Sequence, residues 1–78
     1  MKIDRKDLAS VVGLTLGART VRESDRLLED LGLESADLLN LLIAVEDRFG
    51  VAIDELEAFE LKTVADLGDL IDRRAGSG

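Results

Sequence analysis

The chain has 78 residues and a formal net charge of −7, and it contains no cysteine, histidine or proline. That is one small domain, near the lower size at which a core supports itself, with no disulfide staple, no polypeptide thiolate and neither the usual general base nor the usual metal ligand. Its acidity excludes nucleic acid and anionic membranes as partners, because both are polyanions.

Aromatics are limited to Phe49 and Phe59, while Leu, Ala, Asp and Glu dominate, which favours an all-helical domain over a sheet. No apolar run reaches the roughly 20 residues needed to cross a bilayer, and no signal peptide is expected. The expectation is a soluble, cytoplasmic monomer. Its charge is uneven. From Glu23 to Glu60, twelve acids face only Arg26 and Arg48, which leaves that segment at −10. The two ends together are mildly basic. Partners with basic patches fit such a middle segment.

In chain order, a first helix is expected from Asp4, with Asp7 three residues on in an acidic variant of the capping box. Leu8, Val11, Val12 and Thr15 or Leu16 form its apolar stripe, Gly13 weakens it and Gly17 ends it. A long connection follows from Ala18 to Leu33, anchored by Leu27, Leu28 and Leu31. Loops this long in small domains are often functional. The second helix is the clearest element, from about Ser35 to Phe49, with Gly50 as its stop. Leu38, Leu41, Leu42, Val45 and Phe49 fall on one stripe at about 100° per residue. The opposite face carries Ala36, Asn40, Ile43 and Asp47, so Ile43 points away from the core and reads as a partner contact. A short third helix is expected over Glu55 to Phe59, with Leu56 and Phe59 turned inward. Thr63 and Asp66 mark another capping box, and Val64, Leu67 and Ile71 line the last helix. Arg73 and Arg74 suit its negative end. The reading is an all-α bundle of three principal helices plus one short helix, spanning 1–73, with 74–78 as a flexible tail.

Catalysis by the polypeptide has little support. Ser35 has no histidine to activate it, and so small a bundle offers no deep cleft in which to condition a carboxylate pair. The acidic stretch around Asp54 lacks the spacing of an EF-hand loop, so no metal site is expected. Ser35 has two other readings. It is either the plain N-cap of the second helix, a role serine fills well, or an acceptor for a phosphate ester at the positive end of that helix.

The stretches Leu31-Gly32-Leu33-Glu34-Ser35, Leu38 to Ala44, and Val45-Glu46-Asp47-Arg48-Phe49-Gly50-Val51 resemble the acyl carrier proteins. That family has a Leu-Gly pair, an acid-Ser motif and an apolar helix ending in Glu-x-x-Phe-Gly. The resemblance continues through Ile53, Thr63 to Leu67 and Ile71, and so covers nearly the whole chain. It implies that a phosphopantetheinyl transferase moves 4′-phosphopantetheine from coenzyme A to Ser35. The arm's thiol then carries acyl groups as thioesters, so the chain is a carrier and not an enzyme. It further implies that acyl-loading and acyl-processing enzymes read the second helix through basic patches, with Glu34, Asp37, Ile43, Glu46 and Asp47 as the contact surface. Carriers of this type often fold the acyl chain between their helices.

Three positions depart from the family pattern. Glu34 stands for the usual aspartate, Ala36 for leucine, and Asn40 where many fatty-acid carriers have an acid. These departures point from housekeeping fatty acid synthesis toward a discrete carrier for polyketide or mixed polyketide–peptide assembly. The acidic loop before Ser35 also differs from the glycine and histidine of peptidyl carriers. The competing reading is an unmodified interaction module that shares the carrier fold, with Ser35 only a cap.

Overall fold

The computed structural model describes residues 3–76. Four helices follow one another: α1 (Arg5–Thr15), α2 (Ser35–Phe49), α3 (Glu55–Phe59) and α4 (Val64–Gly76). Three are principal elements and α3 is one short turn and a half, the order the sequence leads one to expect. α4 continues through Arg74 to Gly76, where the sequence suggested a tail from 74. Arg74 pairs with Glu57, and cations at the negative helix end favour that last turn. Ser77 and Gly78, the rest of that tail, lie outside the described residues.

The core forms where the helical stripes meet. α1 contributes Leu8 and Val12, α2 contributes Leu38, Leu41, Leu42 and Val45, and α4 contributes Val64, Leu67, Leu70 and Ile71. Asp4 caps α1 by accepting the Lys6 N–H at 2.8 Å. Asp7, expected to complete that cap, instead pairs with Arg48 at 2.6 Å and ties α1 to the last turn of α2. Arg5 joins α1 to α4. Its guanidinium donates to the Ala65 carbonyl at 3.0 Å, to Asp69 at 2.8 Å and to Asp72 at 2.7 Å. Gly68 leaves the space this guanidinium occupies, since a Cβ there would collide with it.

Three expected anchors are corrected. Leu28 in the α1–α2 connection is 57% exposed, and the anchoring falls to Val21, Leu27, Leu31 and Leu33. In α3, Leu56 is 76% and Phe59 49% exposed, while Ala58 takes the core position. A small residue lets this short helix sit close to the bundle. Its larger neighbours then face outward, because residues one and two positions away point about 100° and 200° around the axis.

The α1–α2 connection is stitched down through its backbone. Arg26 and Thr63 form an antiparallel bridge, and Leu27 N–H donates to the Lys62 carbonyl at 2.8 Å. In return, the first amides of α4, at Val64 and Ala65, donate to the Asp25 and Glu23 carbonyls at 3.0 and 2.9 Å. A helix leaves its first N–H groups without internal partners, and here the connection supplies them. Inside the connection, the Arg26 guanidinium and N–H both meet Asp30, and this hydrogen bonding holds the Asp30 carboxyl below its usual pKa.

Candidate functional site

The chain enters α2 through Gly32, whose φ of 66° suits a residue without a side chain, and then buries Leu33. Glu34, extended at φ −95° and ψ 173°, occupies the N-cap position, so Ser35 is the first residue inside the helix rather than its cap. Asp37 returns to the entrance and accepts the Glu34 N–H at 3.0 Å, the return half of a capping box. The acidic pair therefore closes this turn without the serine. Among the described residues, the Ser35 hydroxyl makes no hydrogen bond, and the residue is exposed. It stands in the turn where backbone N–H groups collect at the positive end of a helix, surroundings suited to a phosphate.

The other candidate residues divide into three situations. Ile43, 64% exposed, shares the outward face of α2 with Ala36, Asn40 and Asp47, all exposed. Asp47 has no side-chain partner among the described residues, and its charge is open to an incoming cation. Glu34 and Asp37 are exposed at the helix entrance beside Ser35. Glu46 differs from the rest. It is half-buried, and its Oε2 accepts the Ile53 N–H at 2.9 Å. Asp37 and Glu46 also sit on opposite shoulders of the helix, about 180° apart at about 100° per residue. The five residues thus wrap the outer half of α2 instead of forming one flat patch.

α2 ends where expected. Gly50 adopts the left-handed conformation at φ 67° and its N–H donates to the Glu46 carbonyl at 2.9 Å. Two contributions to the site had no local signal in the sequence: the Glu46–Ile53 bond and the outward display of Leu56 and Phe59 beyond the loop. No helix of the described residues is long and apolar enough to cross a membrane.

A family model described as the phosphopantetheine attachment site matches residues 6–71. The chain belongs to the acyl carrier protein family. The acyl carrier protein of Thermotoga maritima is 33% identical over 69 residues, covering 86% of this chain and 85% of that protein. The acyl carrier protein of Chlamydia caviae is 36% identical over 72 residues, covering 90% and 94%. In structure, the chain is similar to the crystal structure of the Thermotoga maritima acyl carrier protein, with a TM-score of 0.77 at 26% identity, covering 94% of this chain and 92% of that one. It also shares the fold of the 3,5-dioxohexyl acyl carrier protein from the actinorhodin polyketide synthase of Streptomyces coelicolor, with a TM-score of 0.79 at 24% identity, covering 100% and 96%.

As an acyl carrier protein this chain bears 4′-phosphopantetheine and is a carrier, not an enzyme. The α2 entrance fits that group, with an exposed, unbonded hydroxyl and a helix end that favours an anionic ester. When attached, the arm supplies the thiol that the cysteine-free polypeptide lacks.

Proposed function

We propose that Ser35 is the attachment point, and that the chain is a discrete carrier moving acyl thioesters between enzymes of polyketide or other specialised biosynthesis. The observation that carries the first part is the exposed hydroxyl, which makes no hydrogen bond among the described residues. Serine at a helix start is usually spent on capping, and here Glu34 and Asp37 make that use unnecessary. In the transfer, Ser35 Oγ forms the new P–O bond, the pyrophosphate linkage of coenzyme A breaks with adenosine 3′,5′-bisphosphate as the leaving group, and the hydroxyl proton passes to a base of the transferase. The phosphopantetheinyl transferase is therefore the first partner.

The pathway reading rests on the strip of α2 beside Ser35. Ala36, Asn40 and Ile43 lie exposed there without a charge until Asp47, so a partner meets an apolar and polar strip bordered by acids. Acyl-loading and acyl-processing enzymes with basic docking patches suit Glu34, Asp37 and Asp47 at its edges, and the carrier meets each of them as a monomer.

Incubation with coenzyme A, magnesium and a broad-specificity phosphopantetheinyl transferase tests the site. Intact mass rises by one phosphopantetheine unit in the wild type and stays unchanged in Ser35→Ala. A wild type that stays bare with several transferases would return the chain to the unmodified interaction module. Mass spectrometry of the thioester cargo on protein from its native source tests the pathway; only fatty acyl chains of ordinary length would refute the specialised assignment.

A further inference from the structure

Glu46 faces two demands on α2. By charge and position it belongs with the acids that meet a basic partner, yet its carboxylate is already committed. Oε2 accepts the Ile53 N–H at 2.9 Å across seven residues of chain, and the Glu46 carbonyl accepts the Gly50 N–H at 2.9 Å. One residue thus ends α2 and also fixes the loop that leaves it. Ile53 is buried, at 8% exposure, so its amide has little access to water and needs an internal acceptor. The next residue, Asp54, is the N-cap of α3 and accepts the Leu56 N–H at 2.8 Å. The line runs from the Glu46 carboxylate through Ile53 and Asp54 to the start of α3.

We infer that Glu46 is a positioning residue: its carboxylate latches the α2–α3 loop and so sets where α3 displays Leu56 and Phe59 to the enzymes that dock on the carrier. This rests on the carrier reading for its consequence in docking, but the latch itself does not depend on it. α3 has five residues and only Ala58 buried within it, too little to hold its own place. With the latch open, α3 loses its fixed start and its exposed apolar side chains lose a defined position. Asp47, adjacent in sequence and with no side-chain partner among the described residues, has no such duty and acts through its charge.

Two substitutions separate the roles. Glu46→Gln removes the charge but keeps a carbonyl oxygen for the Ile53 N–H, whereas Glu46→Ala removes both. Amide hydrogen exchange on the full apo chain reads the latch without any cofactor. Protection of the Ile53 amide falls about tenfold in Glu46→Ala, exchange in α3 rises with it, and Glu46→Gln stays near the wild type. The rate of phosphopantetheine transfer then follows the same order, with Gln restoring most of what Ala loses. Equal exchange at Ile53 in all three proteins would overturn the latch. Restored exchange protection with equally slow transfer in Gln and Ala would show that Glu46 acts by charge alone, against the proposal. Failure of the wild type to accept the arm would sink the carrier reading and leave the exchange result standing.

Discussion

The Ser35 hydroxyl is exposed and unbonded because its neighbours close the turn, and this changes what a substitution there does. A capping serine replaced by alanine loses about 1 kcal/mol. Ser35, as the first helical residue with no bond to lose, behaves as an ordinary surface position. Ser35→Ala is expected to shift unfolding stability by less than about 0.5 kcal/mol in urea titrations, while it abolishes the mass gain. A loss of a full cap's worth would show the serine holding the turn after all. Gly13 makes the opposite case. Propensity alone favours alanine at a mid-helix glycine by about 1 kcal/mol. Yet a Cβ at Gly13 would press into the Arg19 carbonyl oxygen, and the Arg19 N–H donates to the Gly13 carbonyl at 3.0 Å. Backbone has little room to give, and overpacking costs about 1–3 kcal/mol. Gly13→Ala is expected to lower the thermal midpoint despite its better helix propensity; a higher midpoint would show that the connection yields. The sequence marks Gly13 as a weak spot in α1, but the strand of chain laid against it comes from beyond the helix and leaves no local trace.

Among the elements, α2 and α3 differ in how openly they announce themselves. Over fifteen residues the α2 stripe repeats often enough to fix its phase, and Leu38, Leu41, Leu42 and Val45 are buried as their spacing requires. Five residues of α3 do not fix a phase, and side-chain size suggests Leu56 and Phe59 as anchors where close approach selects Ala58. The connection has the same difficulty: its leucines follow no period, so Leu28 and Leu33 cannot be ranked by spacing. α4 is legible at its start. Thr63 Oγ1 accepts the Asp66 N–H at 3.2 Å, and Asp66 accepts the Thr63 and Lys62 N–H groups, each at 3.1 Å. These backbone N–H bonds, from Thr63 first and then Lys62, hold the Asp66 carboxyl below its usual pKa. An unfolded aspartate titrates near about 3.9. Stability from Asp66 is therefore complete above that value and is lost as pH falls through the lower, folded one. In thermal melts from about pH 6 down to about pH 3, Asp66→Asn is expected to start less stable and to lose less on acidification than the wild type. Parallel decline in both would remove Asp66 from the acid response.

At the scale of the whole molecule, charge is arranged by region. The −10 of residues 23–60 includes both the entrance to α2 and its outer face, and cations such as Arg5 and Arg48 are engaged in ion pairs within the chain, with Asp69, Asp72 and Asp7. Attraction to basic partners should then govern encounter more than residence. Raising salt so that screening shortens from about 10 Å to about 3 Å, or introducing Asp47→Lys, is expected to slow association with the transferase roughly tenfold with little change in dissociation. Stopped-flow association rates indifferent to salt would count against it. This regional charge, the helix order and the position of Ser35 are all readable from the chain, because each is a property of short segments. What joins distant segments is not: Asp7 with Arg48, Arg26 with Thr63, and Glu46 with Ile53 become visible only once the helices are packed.

The seam between residues 23–27 and 62–65 bears on how such a carrier can be shared. The approach to α2 is sewn to the start of α4, and α2 is braced at its far end, so a tether planted at Ser35 would swing from a stationary post. Its span would be set by the cofactor's own length, with no help from a yielding scaffold. One post on one face admits one visitor at a time. The sequence of handovers would then be decided by rivalry among enzymes for that single berth.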